Sequence, residues 1–65
     1  MFTLNDLLDQ VDCQGEVKVN LIDECGDTKE VFTGFDLRQV PYIYGAKGLA
    51  YIYSEDDVTV YEVYE

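Results

Sequence analysis

LAYIYSEDDVTVYEVY (residues 49–64) is the stretch that decides the fold. Two runs of β-branched and aromatic residues flank the acidic EDD (55–57), which is the composition of two strands folded back on each other across a turn. Pairing Ser54 with Val58 across that turn sets Tyr53 opposite Thr59, Tyr51 opposite Tyr61 and Leu49 opposite Val63. The alternate face then pairs Ile52 with Val60 and Ala50 with Glu62. Both faces of this hairpin are partly apolar, whereas an antiparallel sheet with one face in water shows clean alternation.

Working outward, EVKVNLI (16–22) sets Val17, Val19 and Leu21 against Glu16, Lys18 and Asn20, the pattern of a half-buried strand. DECGD (23–27) is turn chemistry, with Gly26 available for positive φ, and TKEVFT (28–33) is the returning strand of a first hairpin. Between the hairpins, Gly34 and Pro41 bracket GFDLRQVP, a connection with room for one helical turn. YIYGAKGLAYIY (42–53) repeats its YIY tripeptide across Gly45 and Gly48; GAKG lacks the spacing of a phosphate loop and reads as a bend.

In TLNDLLDQVD (3–12), Leu4, Leu7, Leu8 and Val11 recur at the spacing of one helical face. Thr3 is placed to cap the first turn, Asp6 to complete a capping-box exchange, and Phe2 to pack on Leu7 as a hydrophobic staple. Gly15 then turns the chain out of the helix. The expected fold is α+β: an N-terminal amphipathic helix packed on a small antiparallel sheet of two hairpins, in the order α-β-β-turn-β-β, as a single domain over residues 1–65.

One helix covers one face of a four-stranded sheet. Tyr51 with Tyr61, or Ile52 with Val60, whichever set the helix leaves bare, then forms an exposed patch of the kind that marks an interface. The alternative is that residues 34–45 fold over the second face and the tyrosines become core edges with hydroxyls in water.

A 65-residue chain buries only about 60% of the surface it exposes when unfolded, so a partner or a second copy adds stability. Fourteen acids against four bases leave a formal charge of −10 at pH 7. The bases, Lys18, Lys29, Arg38 and Lys47, stand singly, so the chain lacks the cationic cluster that holds a nucleic-acid backbone, and a basic protein surface is the expected partner. No apolar run reaches the length of a membrane span and no basic, apolar leader opens the chain, which points to the cytoplasm without membrane contact.

The chain has no histidine, which excludes Ser–His and Cys–His nucleophiles, and two cysteines alone cannot complete a zinc site. DECGD and SEDD lack the calcium-loop pattern. Cys13 at the helix exit and Cys25 at the hairpin tip are separated by a strand's length, roughly 20 Å, too far for a disulfide. No catalytic residue, metal ligand or cofactor is expected.

The order of an MFTLNDLLDQVD-like amphipathic start, an acidic hairpin, FTGFDL and a closing SEDDVTVYEVY resembles small acidic proteins carried by phages and mobile elements of Gram-positive bacteria. That pool includes anti-CRISPR proteins, several of which are small acidic α/β domains that occupy the DNA-reading site of a Cas nuclease. The resemblance implies an acidic, DNA-mimicking inhibitor. Same-face carboxylates recur at about 6.6 Å along a strand and can stand in for phosphates in a positively charged channel. On this reading Asp23, Glu24, Asp27 and Glu30 on the first hairpin, with Glu55, Asp56, Asp57 and Glu62 on the second, imitate phosphates, and Tyr51 and Tyr61 supply the apolar anchor. The competing expectation is a small phage-encoded homo-oligomer whose acids keep it soluble and whose tyrosines pack between copies.

Overall fold

The computed structural model describes residues 2–12 and 14–65. Four strands, β1 (Gln14–Ile22), β2 (Thr28–Asp36), β3 (Leu49–Glu55) and β4 (Val58–Tyr64), form a sheet in the order β2-β1-β4-β3. Two short helices, α1 (Leu4–Leu7) and α2 (Tyr42–Gly45), and a 3₁₀ turn at Leu37–Gln39 complete the α+β fold. Both expected hairpins are present and antiparallel, but the two central strands, β1 and β4, run parallel. The sheet is therefore mixed, where an antiparallel one was expected. The reason is the path of residues 37–48, which carries the chain from the end of β2 across the sheet to the far edge, so that β3 starts there and β4 returns alongside β1.

The N-terminal helix is much shorter than residues 3–12. Its start follows the sequence reading: Asp6 N–H donates to Thr3 Oγ1 at 3.2 Å and Thr3 N–H donates to Asp6 Oδ2 at 3.0 Å, a complete capping box. Beyond Leu7 the bonding tightens to i→i+3, with Gln10 N–H on the Leu7 carbonyl at 2.9 Å. Asp9 and Asp12 oppose the negative end of the helix dipole, and no base stands in the last turn. Leu4 and Leu7 are buried while Val11 is exposed. Phe2 is half exposed, and its carbonyl accepts the Leu49 N–H at 2.9 Å, tying the N-terminus to the start of β3.

One core lies on one face of the sheet. Val17 and Val19 of β1, Tyr61 and Val63 of β4, Leu4 and Leu7 of α1, and Leu37 and Val40 of the crossover form a single buried cluster. Leu4, Leu37, Val19 and Val63 are the largest fully buried side chains, each contributing about 1.5–3 kcal/mol of apolar burial. A bulge between the Val19 and Asn20 pairings lets Val31 and Phe32, adjacent in β2, both pack against this cluster. Thus α1 and the 34–45 segment share one face, and no described helix or connection covers the other. No described helix is long and apolar enough to cross a membrane.

The β3–β4 turn is one residue shorter than EDD. Glu55 pairs with Val58, and Asp56 and Asp57 alone bridge the strands with φ of 51° and 66°, the left-handed pair of a two-residue hairpin turn whose twist matches the strands. Because side chains alternate with period two, this one-residue change exchanges the faces of β3. Ile52 rather than Tyr51 now lies opposite Tyr61, Tyr51 lies opposite Glu62, and Tyr53 opposite Val60. An irregularity at Ala50 restores the expected Leu49–Val63 pair.

Gly15, expected to lead the chain out of the helix, is the second residue of β1, at φ 113° where that strand's pairing is irregular. The connection does contain a helical turn: Asp36 caps Leu37–Gln39 by accepting the Arg38 N–H at 3.0 Å. Cys13, and with it the expected separation of the two cysteines, lies outside the described residues; Cys25 is exposed at the first hairpin tip.

Candidate interaction surface

Alternation along the strands builds the uncovered face row by row. Glu30 of β2, Asn20 of β1, Glu62 of β4 and Tyr51 of β3 lie across it in register, and the next row holds Thr33, Lys18, Val60 and Tyr53. Ile22 and Tyr64 pair at one end, and Glu55 and Val58 at the other. Tyr51 is 61%, Tyr53 41% and Tyr64 53% exposed, whereas Val60 beneath them is 2% exposed without belonging to the core cluster. The tyrosines and the Lys18 row therefore shelter a small apolar floor on a sheet face that no helix covers.

Glu62 organises the centre of this face. Its Oε2 accepts the Tyr53 hydroxyl at 3.1 Å and the Asn20 side-chain amide at 3.5 Å. That hydrogen bond, then removal from water, then the nearby charges of Glu62 and Glu55, push the Tyr53 phenol above its ordinary value. Lys18, the base on the same face, lies 3.5 Å from Glu30 on the other side. Among the described residues, Glu62 has no cationic partner.

The expected site residues divide into three groups. Glu30, Tyr51 and Glu62 share the uncovered face. Asp23, Glu24 and Asp27 sit in the β1–β2 turn and Glu55, Asp56 and Asp57 in or beside the β3–β4 turn, at opposite ends of the sheet because β1 and β4 are parallel. Six consecutive β1–β4 pairs separate the two turns, roughly 20 Å at strand rise. Asp23 is committed to its turn: Oδ1 accepts the N–H groups of Cys25 at 2.9 Å and Asp27 at 3.0 Å. Tyr61 is not on this surface; it is 5% exposed within the core, because it shares with Val63 the face of β4 that the helices cover, and the shorter turn sets Ile52 rather than Tyr51 opposite it.

Tyr53, Tyr64 and Asn20 belong to the face without being candidates from sequence, and Val60, a candidate only together with Ile52, lies on it without that partner. Alternation from Glu62 places Val60 and Tyr64 beside it on the same strand; Tyr53 and Asn20 required the true register. Among the described residues there is neither a pocket nor a group of acids and cysteines arranged to hold a metal ion. No protein-family model, curated protein or solved structure matches the chain.

Proposed function

We propose that the protein is an acidic interaction protein that occludes the basic nucleic-acid-binding surface of an enzyme, with a guide-loaded Cas nuclease as the target suggested by its resemblance to anti-CRISPR proteins. The observation that carries this reading is the uncovered face: tyrosines around a carboxylate, with acidic turns at both ends of the sheet. A net charge of −10 speeds encounter with a cationic channel, while tyrosine rings give contact area at low entropic cost. Carboxylates at both ends can follow a groove that otherwise tracks phosphates.

The test is a target-duplex binding assay with a guide-loaded Cas nuclease, adding the protein before or after DNA. Inhibition is expected only when the protein is added first, with loss of inhibition at high salt. Unchanged DNA binding at saturating protein would refute the reading for that target.

A second reading, a homo-oligomer, draws on a different surface. Tyr42 and Ile43 of α2 and Ile52 of β3 are exposed, uncharged and on the helix-covered side of the sheet. It predicts a solution mass above that of one chain and loss of association in an Ile43→Asp variant. A monomer at high concentration would refute it.

A further inference from the structure

We propose that Glu62 seats one arginine side chain of the partner, the guanidinium paired with its carboxylate and stacked against the neighbouring tyrosine rings. This rests on the reading that a basic partner docks on the uncovered face, and it names the group that anchors there.

Glu62 is only partly exposed and lies at mid-sheet, with Asn20 on one side and Tyr51 on the other in direct register. Tyr64 stands two residues along the same strand face, and Tyr53 reaches Glu62 diagonally. Both hydrogen bonds to the carboxylate come from neutral donors and both end on Oε2. They fix the carboxylate's orientation without neutralising it, and no bond from a described residue is made to Oε1. A partly desolvated carboxylate of this kind gains most from a cation that brings its own hydrogen bonds. The surrounding rings favour a cation that also presents a flat face. A guanidinium meets both needs, since it donates from a planar fork and stacks on aromatic faces. An ammonium offers a compact, strongly hydrated charge and meets only the first. The orientation imposed by Tyr53 and Asn20 is present before binding, which lowers the ordering cost.

The experiment compares nona-arginine and nona-lysine peptides, equal in charge, by calorimetric titration of the intact chain at low salt. The expected result is about tenfold tighter binding of nona-arginine, with the difference abolished in Glu62→Gln. The amide oxygen of that variant can still accept from Tyr53, so the fold is preserved, and a melting curve verifies this. In Asp56→Asn/Asp57→Asn, both peptides weaken alike and the arginine preference survives. Equal binding of the two peptides, or a preference that persists in Glu62→Gln, would overturn the arginine seat while leaving the basic-partner reading intact. Absence of binding by either peptide would overturn both.

Discussion

Tyr53 donates its hydroxyl to Glu62 Oε2 at 3.1 Å, a diagonal bond from the edge strand β3 to the central strand β4. The bond holds the phenol protonated, so the folded protein binds this proton more tightly than the unfolded chain. The resulting stability is present in full below the ordinary tyrosine value of 10.0 and is lost as pH rises through the higher folded value. Phenolate absorbance on alkaline titration should show a late-titrating component that shrinks in Tyr53→Phe and moves toward the ordinary range in Glu62→Gln. A late component unaffected by Tyr53→Phe would contradict the assignment.

At the acid end, the Thr3 backbone N–H and then its side-chain hydroxyl hold the Asp6 carboxyl below 3.8. Ionised Asp6 therefore stabilises the fold above that pH, and the contribution is lost as pH falls through the folded value. Asp6→Ala should melt a few degrees below the parent at neutral pH. The gap should narrow in acid; a constant gap would mean that charge plays no part in the cap.

Asp56 and Asp57 both adopt left-handed backbone with like charges side by side. Replacing them by Asn-Gly, the preferred pair for such a turn, should raise stability by about 1 kcal/mol. That corresponds to roughly 4–8 °C in a domain of this size. A loss of stability on thermal unfolding would contradict the two-residue turn.

Gly45 is buried where a Cβ would collide with the Asn5 side chain, at the contact between α2 and α1. Gly45→Ala should cost about 1–3 kcal/mol, and adding Asn5→Ala should recover much of it. Denaturant titration of both variants measures that coupling, and purely additive effects would deny the contact.

The sequence makes short-range features legible and leaves long-range ones open. The Thr3–Asp6 box and the strand alternation of Val17, Val19 and Leu21 are set by neighbours within a few residues, and both are present. Helix length is not local in that sense: Leu8 and Val11 continue the helical spacing, yet core contacts engage chiefly Leu4 and Leu7. Turn length hid the face of Tyr51, because aspartate tolerates left-handed backbone and EDD fits either a two- or a three-residue loop. The parallel β1–β4 pairing depends on where the crossover lands. Leu37 and Val40 determine this by joining the same core as α1, and nothing in their local sequence announces it.

A single layer of helices and crossover leaves Tyr51, Tyr53 and Tyr64 in solvent while enclosing Tyr61. Paramagnetic relaxation of tyrosine ring protons by a neutral, soluble gadolinium chelate tests this directly in the free protein and after a basic peptide is added. The account predicts strong relaxation of Tyr51, Tyr53 and Tyr64, weak relaxation of Tyr61, and selective loss of the first three on peptide binding. Strong relaxation of Tyr61 with protection of Tyr51 and Tyr53 in the free protein would contradict it.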